Sequence, residues 1–148
     1  MKVRSAKTSD AKVLAYNNIL LAAESEDMKL EHGTVLKGVK AILSDKQKGF
    51  YIVAEEKGKV LGQLMITFEW SDWRNCMIWW LQSVYVEPCS RKNGVFKALL
   101  KDVRKRARKA KVMDLRLYVH TSNKKAMAAY EGTGFSQKPY LVLGMKRE

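Results

Sequence analysis

Trp80-Leu81-Gln82-Ser83-Val84-Tyr85-Val86-Glu87-Pro88-Cys89-Ser90-Arg91-Lys92-Asn93-Gly94-Val95-Phe96-Lys97-Ala98-Leu99-Leu100 reads as a buried strand that passes through a turn into a basic helix. Glu87-Pro88 ends the strand, since proline cannot donate to a ladder. The helix from about Gly94 to Ala110 puts Val95, Leu99, Leu100, Val103 and Ala107 on one apolar stripe and covers the rest with cations. A strand-to-helix joint of this kind leaves backbone N–H groups without partners at the positive end of the helix dipole. A phosphate or pyrophosphate is the ligand such a joint suits.

Outward from that joint, the remaining elements are set by periodicity and punctuation. Lys2 to Ala6 is a first strand; Thr8-Ser9-Asp10 starts a helix whose apolar residues continue to about Ala23. Glu24-Ser25-Glu26-Asp27-Met28 is expected as an acidic loop before a second helix, Thr34 to Leu43. Phe50 to Ala54 and Val60 to Phe68 form a hairpin around Lys57-Gly58-Lys59, and Glu69 to Asn75 turns the chain into the strand from about Met77 to Val86. Past the basic helix come a strand over Asp114 to His120, a helix over Asn123 to Glu131 stopped by Gly132-Thr133-Gly134, and a final strand over about Tyr140 to Lys146. The order β-α-α-β-β-β-α-β-α-β predicts a mixed α/β sheet in one domain spanning residues 1–148, with a central meander and crossovers at the end. Neither Gly-x-x-x-x-Gly-Lys nor Gly-x-Gly-x-x-Gly is present, so nucleotide hydrolysis and dinucleotide binding lack their usual signatures.

Composition narrows the class. The 47% hydrophobic content suits a globular domain, and no apolar run approaches the roughly 20 residues of a membrane helix. The start, Met1 to Lys7, lacks the apolar stretch of a secretion signal, and a cytoplasmic protein is expected. Cys76 and Cys89 form no Cys-x-x-Cys pair and lie far from His32 and His120, which argues against structural zinc and a disulfide framework; no metal is expected. The formal charge of +13 is local: residues 91 to 111 hold ten Lys or Arg against one acid, so this stretch carries +9 of it. Arg91 to Lys97 is read as ligand-binding and the distal half, Lys101 to Lys111, as a solvated helix face, which leaves nucleic acid a disfavoured partner.

The chain resembles the GCN5-related N-acetyltransferases over nearly its whole length. Arg91-Lys92-Asn93-Gly94-Val95-Phe96 is similar to the family's acetyl-coenzyme A motif, and Val84-Tyr85-Val86 to the strand whose backbone holds the pantetheine arm. Asn123-Lys124-Lys125-Ala126-Met127-Ala128-Ala129-Tyr130-Glu131-Gly132-Thr133-Gly134-Phe135 resembles the family's Asn-x-x-Ala-x-x-x-Tyr-x-x-x-Gly-Phe segment. The resemblance implies acetyl-coenzyme A as cosubstrate, contacted by Val84, Tyr85, Val86, Arg91, Lys92, Asn93, Gly94, Val95, Phe96, Lys97, Asn123 and Ala126. The physics agrees: a diphosphate needs several N–H donors at once, and Gly94 supplies close approach or unusual dihedrals. Phe96 departs from the family's Gly or Ala, and its ring must turn toward the core or crowd the diphosphate.

Tyr130 matches the tyrosine that donates a proton to the departing thiolate; with a reference pKa near ~10 it is protonated at neutral pH. The plainer reading is a helix aromatic packed in the core. Asn123 is a helix cap, a cofactor contact or both. An attacking amine must lose a proton, yet Gln82 stands where many relatives carry Glu and cannot accept one, which leaves Glu24, Glu26 or His120 as candidate bases. The acceptor pocket is expected across the cleft, from Glu24, Glu26, Trp80 and Gln82 with the segment around Trp70 and Trp73; acids facing aromatic rings suit a small primary amine. Of Trp79 and Trp80, which alternate in direction, at least one belongs to the core. The resemblance thus implies direct acetyl transfer to a small-molecule amine in a ternary complex, by a homodimer. The alternatives are a basic module that docks on nucleic acid or another polyanion, and a catalytically silent acyl-coenzyme A sensor on the same fold.

Overall fold

The computed structural model describes Met1–Glu148 throughout. Its elements are β1 (Lys2–Ser5), α1 (Ala11–Glu26), α2 (His32–Ser44), β2 (Phe50–Glu56), β3 (Lys59–Ser71), β4 (Cys76–Val86), α3 (Val95–Lys109), β5 (Asp114–Leu117) and α4 (Lys124–Glu131). The five strands form one sheet in the order β1-β2-β3-β4-β5, antiparallel except for the parallel pair β4 and β5. This is the mixed α/β architecture expected, with four differences in extent and one missing element.

Two apolar layers flank the sheet because side chains along its strands alternate in direction. Ile52, Ala54, Leu64, Ile66, Trp79 and Leu81 meet α3 through Val95, Leu99, Leu100, Val103 and Ala107. On the opposite face Tyr51 and Val53 meet α1 and α2 through Leu14, Ala15, Val39 and Ile42. Trp79 is the core tryptophan, edge-on to Phe50 at 5.3 Å between ring centroids. Gly62 sets how closely α3 approaches: a Cβ there would stand 2.7 Å from Val95 Cγ1.

The differences have local causes. Glu24 to Glu26 belong to α1, which runs on to a left-handed Asp27 (φ 49°) that closes it by donating its N–H to Ala22. α2 begins two residues before Thr34, because the Glu31 carboxylate caps it by accepting from Gly33 and Thr34 N–H at 2.8 and 2.6 Å. Glu69, Trp70 and Ser71 extend β3 rather than turn the chain, and β5 stops at Leu117, short of His120. The expected strand over Tyr140 to Lys146 does not form: that segment joins no ladder, and its large apolar residues are exposed. A short apolar run becomes a strand only where it joins a ladder.

Candidate active site

The site begins with an irregularity in β4. Its register against β3 runs from Met65↔Gln82 to Gln63↔Tyr85, so Ser83 and Val84 stand opposite Leu64 alone, and Ser83 takes φ 50°. Such a bulge bends the strand and re-aims the residues beyond it. β4 pairs with β5 only over Ile78 to Leu81, so from Gln82 to Val86 its outer edge has no strand partner. A peptide-like chain can bond along such an edge as another strand would.

The turn after Val86 leads to Gly94, the α3 N-cap, at φ 78° and ψ 9°. Nothing lies within 4 Å of where its Cβ would be, so glycine is required by this dihedral rather than by crowding. No side chain caps α3, and its first backbone bond runs from Ala98 N–H to Gly94 C=O at 3.0 Å. The N–H groups of Val95, Phe96 and Lys97 therefore have no acceptor within the chain. They open on a cleft of about 420 Å³ walled by Val86, Ser90, Arg91, Lys92, Gly94, Val95, Phe96, Lys97 and, from the α4 side, Ala128, Ala129, Gly132 and Thr133. Three convergent N–H donors at a positive helix end, with three cations on the rim, fit a diphosphate.

Seven residues read from the sequence thus share the cleft: Val86, Arg91, Lys92, Gly94, Val95, Phe96 and Lys97. Val84 is half-buried against the core, Tyr85 is buried beneath the Arg91 guanidinium (5.6 Å to the ring centroid), and Asn93 is exposed on the turn. Asn123 caps α4 by accepting from Ala126 N–H at 3.2 Å. Phe96 turns toward α4, its ring edge-to-face with Tyr130 at 5.5 Å. Tyr130 also meets Phe135 at 5.9 Å, and burial pushes its hydroxyl above the ordinary value near 10. It stays a proton donor at neutral pH.

The acceptor-side residues are more scattered. Glu24 accepts from Arg91 Nη2 at 2.7 Å and from the Tyr85 hydroxyl at 3.5 Å, while Arg91 Nε donates to Val86 C=O at 2.9 Å. The pair joins the end of α1 to the turn before α3. Glu26 is exposed on the last turn of α1. Gln82 Nε2 donates to Thr67 Oγ1 at 2.6 Å. Trp80 is stacked on Tyr118 at 4.4 Å and 17°, and its Nε1 donates to Glu69 at 3.2 Å. His120 Nδ1 accepts from the Ser122 amide at 3.2 Å, which places its proton on Nε2 and makes it part of the turn before α4. Trp70 and Trp73 sit at the β3–β4 hairpin tip; Trp70 pairs with Met77, nine residues of strand from Val86, a separation of about 30 Å. They cannot wall a pocket beside the cleft.

A buried polar network lies under the bulge and has no counterpart in the sequence reading. Asn17 Nδ2 donates to Gln63 Oε1 (2.9 Å), Gln63 Nε2 to Asn18 Oδ1 (2.9 Å), and Asn18 Nδ2 to the Tyr51 hydroxyl (2.9 Å). It ties α1 to β2 and β3 where β4 bends. The signal was one glutamine amid the apolar run Val60 to Ile66.

A β-bulged strand that parts from its parallel neighbour beside an uncapped helix start offers an extended edge and free N–H donors to a phosphorylated, peptide-like ligand. The chain belongs to the acetyltransferase (GNAT) family, whose profile matches residues 17–135. It is similar to the crystal structure of a possible acetyltransferase from Clostridium difficile 630, at 36% identity over 99% of this chain and 97% of that one, with a TM-score of 0.93. A predicted acetyltransferase with acetyl-CoA from Clostridium acetobutylicum shares the fold at 18% identity, 97% and 95% coverage and a TM-score of 0.79. So does the aminoglycoside 6'-N-acetyltransferase AAC(6')-IG from Acinetobacter haemolyticus, at 15% identity, 100% and 99% coverage and a TM-score of 0.79. Comparison with curated proteins gives no match. Family membership makes the protein an acyltransferase that draws on acetyl-coenzyme A. No helix is long and apolar enough to cross a membrane.

Proposed function

We propose that the protein is a cytoplasmic, homodimeric N-acetyltransferase that moves an acetyl group directly to the primary amine of a small molecule. One observation carries the reading: three acceptor-less N–H groups of Val95, Phe96 and Lys97 open on the cleft beside the unpaired edge of β4. The donor's contribution, when bound, is an acyl group activated as a thioester. The α3 amides would hold its diphosphate, with Arg91, Lys92 and Lys97 adding charge, and the Gln82–Val86 edge would hold the pantetheine arm.

The Tyr130 hydroxyl, kept protonated by burial, is the proton donor to the departing thiolate. Phe96 and Phe135 hold its ring in place from two sides. On the amine side Gln82 is committed to Thr67 and orients the acceptor without taking its proton. Glu24, paired with Arg91 at 2.7 Å beside the cleft, would take that proton once the pair is open. Glu26 and Trp80 complete the acceptor side, the carboxylate attracting an ammonium ion and the ring, stacked on Tyr118, adding an apolar wall.

Incubation with acetyl-coenzyme A and a panel of small amines should release free thiol with at least one acceptor. No release with any amine, despite measurable cofactor binding, would leave a sensor rather than an enzyme.

A second reading, docking of a polyanion along α3, is favoured by one observation. Asp102, the helix's one acid, is taken by Arg106 at 2.5 Å, so Lys97, Lys101, Lys105 and Arg108 line a groove of about 910 Å³ with no acidic partner. Affinity for duplex DNA that falls steeply with salt, without preference for acetyl-coenzyme A over DNA, would favour that reading.

A further inference from the structure

At the end remote from the cleft the sheet narrows to two strands. β2 starts at Phe50, opposite Ile66, and β5 at Asp114, opposite Ile78, while β3 and β4 stay paired out to Ser71 and Cys76. The two-stranded tip projects past both neighbours. On it Trp70 is 56% and Trp73 89% exposed, an unusual placement for the side chain with the most apolar surface to hide. Met77, the cross-strand partner of Trp70, and Met113, whose N–H donates to Met77 C=O at 2.9 Å, are exposed beside them.

The charges around this tip are unbalanced. Arg74 lies in its turn, Lys109 closes α3 and Lys111 follows shortly before Met113, and Lys46 lies in the turn that leads into β2 at the same end of the sheet. All four are exposed, and none is ion-paired. The acids nearby are engaged. Asp45 is held by Lys48, Asp114 by Arg116 and Lys138, and Glu69 by Arg116, while Asp72 accepts from the Trp73 amide at 3.0 Å.

We propose that the hairpin tip seats the protein on an anionic lipid bilayer, with Trp70, Trp73 and Met77 entering the interface and Arg74, Lys109 and Lys111 meeting the headgroups. Three features select a lipid surface as the partner. Tryptophan, an apolar ring with a single N–H, suits the boundary between headgroups and acyl chains. Unpaired cations beside it are drawn to the negative surface of the cytoplasmic leaflet, where acids on the protein would be repelled. The exposed apolar surface is on the order of 500 Å², short of the roughly 800 Å² per partner of a standard protein interface, whereas a fluid bilayer receives a projecting tip without a matching pocket. The chain would lie on the bilayer rather than span it, with Val86 and the cleft nine residues of strand away from Met77 and open to water. The inference does not depend on the acetyl-transfer reading, and its test uses no substrate.

The full chain should sediment with vesicles of phosphatidylcholine and phosphatidylserine, with an affinity about tenfold or more above that for phosphatidylcholine alone. Its tryptophan fluorescence should be quenched by lipids whose acyl chains are brominated near the headgroup, a readout on the unaltered chain that stands whether or not a variant folds. W70S/W73S leaves every charge in place and should keep its melting temperature, yet bind the mixed vesicles about tenfold or more weakly. Undiminished binding by W70S/W73S would overturn the inference, since attachment would then come from the basic face of α3. Absence of binding by the unaltered chain, equal binding to neutral vesicles, or unquenched fluorescence would overturn it equally. So would a mass in solution that differs between the unaltered chain and W70S/W73S before lipid is added, because the tip would then be serving another protein chain.

Discussion

Tyr130 is where burial and chemistry meet. Its ring lies edge-to-face with both Phe96 and Phe135, and its hydroxyl titrates above the ordinary tyrosine value because burial disfavours the phenolate. Tyr130→Phe keeps the ring and removes the donor, so kcat should fall about 100-fold or more with little change in the KM for acetyl-coenzyme A. Steady-state thiol release checks this, and an unchanged kcat would remove the acid role. Phe96 shows how a departure from a family motif is absorbed. The large ring at that position packs at the margin of the core and edge-to-face on Tyr130 of the neighbouring helix, the residue that carries the proposed acid.

Among the elements, β4 and α3 make the site, and α1 holds them in place through Gln63. That side chain is fully buried and bonded to Asn17 and Asn18, with Asn18 bonded in turn to Tyr51. Gln63→Leu leaves the Asn17 amide N–H without its acceptor and Asn18 Oδ1 without its donor, Asn18 keeping only its bond to Tyr51. Stability should drop by about 2 kcal/mol, measured by urea unfolding, and turnover should fall with it because the β4 bulge loses its support. The joint from Trp80 to Leu100 was legible in the sequence because its signals are local: a proline that ends a ladder, a glycine at positive φ, and an apolar stripe at helical spacing. The bulge at Ser83 was not, since it depends on register against β3. Nor was the Glu24–Arg91 pair, whose members are 67 residues apart and were assigned to opposite sides of the cleft. The strand expected over Tyr140 to Lys146 shows the opposite limit, an apolar run of strand length that joins no ladder.

For the molecule as a whole, one charge cluster fastens β1 to the start of α1 and to β2. Arg4 donates to Asp10 at 2.7 and 3.1 Å and to Glu55 at 2.6 Å, and Asp10 also accepts from Lys7 N–H at 2.6 Å. The Arg4 hydrogen bonds hold the Asp10 carboxyl below its ordinary range, outweighing the burial that acts against ionisation. A group whose folded pKa is depressed stabilises the fold fully above its unfolded value near ~3.9 and loses that contribution as pH falls through the folded value. Asp10→Asn should therefore cost about 2–3 kcal/mol at pH 7, and the gap from the unaltered protein should shrink at pH below ~4. Denaturant unfolding at the two pH values measures it; a gap that is the same at both would show that Asp10 contributes through shape rather than charge. The cluster lies far along the chain from the cleft, so cofactor affinity at pH 7 should be unaffected. That affinity rests on the start of α3, and calorimetric titration with coenzyme A, comparing the unaltered chain with Gly94→Asp, probes it directly. The unaltered chain should bind with measurable heat and the variant should show none, since an aspartate there is strained at φ 78° and sets a negative charge against the diphosphate. Equal binding by both, or no binding by either, would contradict a diphosphate held by the N–H groups of Val95, Phe96 and Lys97.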